Sequence, residues 1–115
     1  FVQGDMDGSP LGVAVGVTPM DDDHPAEIHL ESYFQQLEKG TCGTGDSFET
    51  GTPKVPCNLV DMEGYALAKV CKKLGVRFIS VKYITDGAND TAHLDWEENL
   101  LLGAQKLLKL YQTVK

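Results

Sequence analysis

A carboxylate heads an apolar helical stripe in this sequence. If a helix begins at about Glu63, then Ala66, Leu67, Val70, Cys71 and Leu74 follow at offsets of 3, 4, 7, 8 and 11, all on one face. Lys69, Lys72 and Lys73 fall to the sides and rear of the same wheel, so the solvent side is already charged. An unpaired carboxylate on an apolar face costs several kcal/mol unless something hydrogen-bonds it. A helix N-terminus favours the charged form by only about 1 kcal/mol or less. Glu63 therefore needs donors, and a sugar diol would supply two. Two other acidic segments could serve the same site: "GTGDSFETG", residues 43 to 51, which is glycine-rich with one aromatic, and "TDGAND", residues 85 to 90. By itself the first lacks the spacing of a P-loop or dinucleotide fingerprint and reads as a turn. By itself the second reads as a turn whose Asp and Asn bond their own backbone.

The elements that must position these residues follow from periodicity. "FVQGDMDG" alternates apolar and polar from the first residue, as though a strand were under way, and the opening Phe1 reads as a cut within a longer protein. "LGVAVGVT", residues 11 to 18, is β-branched and suggests a strand. "PMDDDHP" introduces an expected helix over residues 26 to 39, with Pro25 in its first turn and Gly40 at its cap. Residues 40 to 56, rich in glycine, read as irregular, and "VPCNLV" rises into a strand ending near Asp61. After the Glu63 helix, "VRFISVKYI", residues 76 to 84, is the continuous apolar run of a strand buried on both faces. The strand, helix and strand predict a parallel pair with a right-handed crossover. A last helix is expected from Asp95, which with Glu98 forms a capping box, and it carries Leu100, Leu101, Ala104, Leu107, Leu108 and Tyr111 on one side. Ligands of open parallel sheets bind beyond the carboxyl ends of strands, where all three acidic segments fall.

Composition narrows the function classes. A chain of 115 residues, 42% hydrophobic, suffices for one domain with a core. Its formal charge of -7 and its scattered lysines argue against nucleic-acid or anionic-membrane partners. No apolar run approaches the roughly 20 residues of a membrane span, so the chain reads as soluble and cytoplasmic. Cys42, Cys57 and Cys71 are odd in number and show no metal-ligand spacing, so neither a metal nor a disulfide framework is expected, and no cofactor motif is present.

Together, "GTGDSF", "VDMEGYALAKVC" and "VKYITDGAND" resemble, in order and separation, the C-terminal half of the nucleoside phosphorylase and nucleosidase superfamily. The likeness is greatest to the 5'-methylthioadenosine/S-adenosylhomocysteine nucleosidase branch. An acidic-Met-Glu motif at a helix start with a Ser/Thr-Asp motif about 22 residues later carries it. "DMDGSPLG" and "AHLDWEE" agree less closely, and the segment between Phe48 and Asp61 is shorter than usual for a nucleosidase.

The resemblance implies an α/β fold, a three-layer α/β/α arrangement on a central mixed sheet, of which residues 1 to 115 are the C-terminal part of a single domain. It implies cleavage of the N-glycosidic bond of a small purine nucleoside through a ribooxocarbenium-like transition state. Glu63 matches the glutamate that holds the ribose 2'- and 3'-hydroxyls, and Met62 the residue packed on the sugar. Asp86, in the motif opened by Thr85, matches the general acid that protonates purine N7. An ordinary Asp, with a pKa near 3.9, is a poor donor at neutral pH, so the pocket has to raise it or relay a proton. Phe48 matches the aromatic stacked on the purine, and the Glu49 backbone the group that bonds the base edge. In the family the N-terminal half supplies the glutamate that activates water, or the arginines and glycine-rich loop that hold phosphate. Hydrolysis is the expectation because the motifs read closer to that branch, with phosphorolysis or a non-catalytic nucleoside-binding fragment as alternatives. A homodimer is the family habit.

Overall fold

Three short parallel strands organise the first part of the chain. In the computed structural model the described residues are 1–23, 25–48, 50–87 and 92–114, with only the backbone described at 92 and 93. They form two compact units, Phe1–Ile79 and Ser80–Lys115.

In the first unit, β1 (Val2–Gln3), β2 (Cys42–Thr44) and β3 (Leu59–Asp61) form a sheet of order β1-β2-β3. Both pairings are parallel, with Val2 opposite Gly43 and Thr44 opposite Asp61. The expected strand at the start is thus present. The central strand, however, lies inside the segment read as irregular. Its three residues are too few and too small to show a period, and Gly43 lies close under Cys57: a Cβ there would stand 2.9 Å from the Cys57 sulfur.

Two expected elements between β1 and β2 are absent. Residues 11 to 18 are not a strand; a 3-10 turn at Ser9–Leu11 is closed by Gly12 at φ 81°, and Gly16 at φ 88° turns the chain again. Positive φ at two glycines is incompatible with an extended strand. Nor do residues 26 to 39 form a helix. Instead, Glu27 bridges Val2 in antiparallel fashion, and the Ile28 amide donates to the Phe1 carbonyl at 2.8 Å. Glu27, Ile28, His29, Leu30 and Glu31 alternate in burial, with Ile28 buried and Leu30 half-buried between exposed neighbours. The period of two, visible in the sequence, overrode the helix-end signals of Pro25 and Gly40.

Helix α1 (Gly64–Lys73) follows β3 directly, as expected. It ends in a Schellman motif. The Val76 amide donates to the Cys71 carbonyl at 2.9 Å and the Gly75 amide to that of Lys72 at 3.2 Å, with Gly75 at φ 66°. The buried side of α1 is Gly64, Tyr65 and Ala68, packed with Ile28, Phe1, Leu30 and Phe78. This corrects the expected face: Leu67, Val70 and Leu74 are exposed. Tyr65 and Ala68 are three apart and make a narrower stripe, one that small residues let sit close to the extended segment.

Residues 76 to 84 carry no strand, so the expected strand-helix-strand crossover is not formed. Phe78 and Ile79 are half-buried and Val76 is exposed, so the run lacks the double-sided cover that its composition suggested.

In the second unit, α2 (Ala92–Gln112) begins one turn earlier than expected, and Asp95 lies within its first turn instead of capping it. An acidic residue is favourable there too, because the helix dipole is felt across the whole turn. Tyr83 packs on the helix at Gly103, where a Cβ would stand 2.6 Å from the ring. Leu100, Leu101, Leu107, Leu108 and Tyr111 remain exposed. No described helix is long and apolar enough to cross a membrane.

Candidate active site

Two of the sequence motifs, those at residues 43 to 51 and 61 to 64, begin where β2 and β3 end. Thr44 and Asp61 are the last residues of adjacent parallel strands and lie opposite one another. The loop after Thr44 and the Asp61–Gly64 turn therefore leave the same edge of the sheet, and the Gly45 amide ties them by donating to the Asp61 carbonyl at 3.0 Å. The chain leaving β1 reaches the same edge, where the Asp46 amide donates to the Asp5 carboxylate at 2.7 Å.

Glu63 occupies the N-cap of α1, with φ -134° and ψ -24°, yet its own side chain makes no capping hydrogen bond. Asp61 and Thr44 serve instead. The Gly64 amide donates to Asp61 Oδ2 at 3.1 Å, the Tyr65 amide to Thr44 Oγ1 at 2.8 Å, and Thr44 Oγ1 donates to Asp61 Oδ1 at 2.6 Å. Two of the amides that a helix start leaves unpaired are thus satisfied. Glu63 is exposed. The expected desolvation of its carboxylate is not found, because the stripe it heads faces out.

Met62, next to Glu63 in the turn, and Phe48, in the loop after β2, are exposed at 44% and 52%. Glu49 lies outside the described residues. Beneath the edge, Tyr65 anchors α1, its hydroxyl donating to the Pro25 carbonyl at 2.6 Å. Burial first, and the negative charge of Asp21 second, raise the pKa of that phenol.

Thr85 and Asp86 belong to the second unit. Thr85 Oγ1 donates to Asp86 Oδ2 at 2.8 Å, and Asn99 Nδ2 of α2 donates to the Thr85 carbonyl at 3.0 Å. The pair is therefore held to the helix by its backbone and internally by its side chains. The rest of the motif, Ala88, Asn89 and Asp90, lies outside the described residues. Among the described residues no three His, Cys, Asp or Glu side chains gather as metal ligands would.

The roles of Thr44 and Asp61 were missed from the sequence. Asp61 had a weak signal, an acidic residue just ahead of a helix start, although the cap position itself is Glu63. Thr44 had none, because its contact spans 17 residues of chain.

The three-stranded parallel sheet thus presents the acidic-Met-Glu helix start at its carboxyl edge. Residues 23–114 match the family model of the Phosphorylase superfamily, and the chain belongs to that family. Among curated proteins it is similar to the 5'-methylthioadenosine/S-adenosylhomocysteine nucleosidase of Actinobacillus succinogenes, with 31% identity over 89 residues. Nucleosidases of the same name from two Haemophilus influenzae strains are 32% and 33% identical over 89 residues. Each match covers 70% of this chain, which spans 39% of the length of these relatives.

Proposed function

We propose that the full-length protein is a purine nucleosidase acting on 5'-methylthioadenosine, S-adenosylhomocysteine or close analogues. The observation that carries the reading is Glu63: a helix-start carboxylate at the sheet's carboxyl edge that is not used as its own helix cap. In this reading it accepts hydrogen bonds from the ribose 2'- and 3'-hydroxyls. As the bond from C1' to the purine nitrogen breaks, its electron pair leaves with the base, positive charge grows on the ribose ring, and the carboxylate's hold strengthens. Met62 covers the sugar, Phe48 stacks on the purine, and the Glu49 backbone meets the base edge. Asp86, steadied by Thr85, delivers a proton to purine N7 so that the base leaves neutral. Water adds to C1' and loses its proton to a base supplied from elsewhere in the full-length protein.

The same reading has a three-layer α/β/α domain completed by further chain, working in the cytoplasm as a homodimer. The exposed stripe of Leu67, Val70 and Leu74 supports further cover over α1.

Base release from 5'-methylthioadenosine, with and without inorganic phosphate, tests the function. Release independent of phosphate is expected. Strict phosphate dependence would make the protein a phosphorylase, and binding of purine nucleosides without release would make it a binding protein.

A further inference from the structure

We propose that Thr44 and Asp61 are positioning residues for Glu63, acting through the start of α1. The inference rests on the nucleosidase reading, since it concerns how the ribose-binding carboxylate is held in place.

The hydrogen-bond pattern leaves little choice of protonation. Thr44 Oγ1 accepts the Tyr65 amide at 2.8 Å, so its single proton goes to Asp61 Oδ1 at 2.6 Å. The other carboxylate oxygen accepts the Gly64 amide at 3.1 Å. In both of these bonds Asp61 is the acceptor, as an ionised carboxylate is, and it lies at the positive end of the α1 dipole. Its side chain closes a short loop back to Gly64, and the residues inside that loop are Met62 and Glu63. Glu63 is exposed and its side chain makes no capping bond, so besides the Leu67 amide that donates to its carbonyl at 3.2 Å, its backbone is held by the two residues that flank it in this network.

Gly64 shows how tightly the loop is drawn. A Cβ there would overlap both the Asp61 carboxylate and the Phe1 ring. The loop thus joins the register of β2 and β3 to the position of a carboxylate that has to meet a ribose. A misplacement of the order of an ångström in a positioned group lowers turnover by up to about 100-fold.

Each variant removes a defined part. Thr44→Val is isosteric but leaves the Tyr65 amide without an acceptor and Asp61 Oδ1 without its donor. Asp61→Asn keeps the shape but removes the charge, and with its oxygen on the Gly64 amide its NH2 group has to donate to Thr44 Oγ1, which reverses that bond and displaces the hydroxyl proton. Thr44→Ser retains the hydroxyl.

The test measures kcat and KM for 5'-methylthioadenosine in the full-length protein carrying Thr44→Val, Asp61→Asn or Thr44→Ser, each alone and combined with Glu63→Gln. Thr44→Val and Asp61→Asn are expected to lower kcat by about 10- to 100-fold with KM changed far less. Thr44→Ser is expected to stay within a few-fold of wild type. In the Glu63→Gln background, Thr44→Val should add little, because residues that act through one group are not additive. Unchanged kcat in Thr44→Val, full multiplication of its loss with that of Glu63→Gln, or failure of serine to restore turnover would overturn the positioning role alone. So would loss of folding in both isosteric variants, which would make the network purely structural. A wild-type protein that releases base from no purine nucleoside would overturn the nucleosidase reading, and the positioning role would fall with it.

Discussion

The Tyr65 hydroxyl and the Pro25 carbonyl, 40 residues apart in sequence, are joined by a hydrogen bond of 2.6 Å. The bond fastens the first turn of α1 to the start of the extended segment that carries Ile28, and Tyr65 is only 6% exposed. Tyr65→Phe keeps the ring packing and leaves the carbonyl without this donor. The expected loss is about 1 kcal/mol of stability, read from urea unfolding at pH 7. An unchanged midpoint would show that the bond contributes nothing net.

The same phenol predicts a pH dependence. Burial and the Asp21 charge raise its pKa in the folded state, so above about pH 10 the unfolded chain releases this proton more readily than the folded one. The folded state then binds more protons than the unfolded, and stability falls as pH rises through that range. Tyr65→Phe should abolish this part of the alkaline loss. Parallel unfolding curves for the two proteins from pH 8 to 11, with a constant gap, would contradict the assignment.

Gly64→Ala separates local propensity from packing. By propensity alone, alanine in place of glycine stabilises a helix by about 1 kcal/mol. Here the new Cβ would overlap the Phe1 ring and the Asp61 carboxylate, so a net destabilisation of about 1 to 3 kcal/mol is expected. Thermal unfolding decides the sign, and a raised midpoint would mean that Phe1 and Asp61 move aside freely.

Helix α1 was legible because its signal is local: apolar residues recurring at helical spacing from Glu63, with lysines on the other side of the wheel. Its buried face was not, since the stripe with more large apolar residues, Leu67, Val70 and Leu74, is the one left exposed. Sequence shows which residues can be buried and not what lies opposite them. The extended segment at 27 to 31 carried both a strand alternation and plausible helix ends, and the tie to β1 decided between them. At the candidate site, the motif positions Met62, Glu63, Thr85 and Asp86 could be named from residue type and order. The bonds that hold Glu63 could not, because Thr44 lies on a strand too short to have a period.

For Glu63, the expected chemistry makes a graded prediction. Glu63→Gln keeps the size and loses the charge, so kcat should fall by on the order of 100-fold for every nucleoside with an intact ribose. A substrate without the 2'- and 3'-hydroxyls has nothing for the carboxylate to hold and should show a much smaller ratio between wild type and variant. Equal ratios for the two substrates would remove Glu63 from the sugar.

Asp86→Asn tests the other end of the bond. Thr85 Oγ1 donates to the Asp86 carboxylate, and an asparagine side-chain oxygen can accept the same bond, so the local geometry should survive the change. What is lost is the acidic proton. A general acid contributes about 10²- to 10⁴-fold where the leaving group needs protonation, and kcat on 5'-methylthioadenosine should fall within that range. A purine nucleoside already methylated at N7 releases its base without a proton at that position, so the variant should approach wild-type turnover on it. The ratio of the two losses is informative because any general damage to the fold would lower both rates alike. Comparable losses on the two substrates would therefore show that Asp86 does not protonate the base, and would leave it only a binding role.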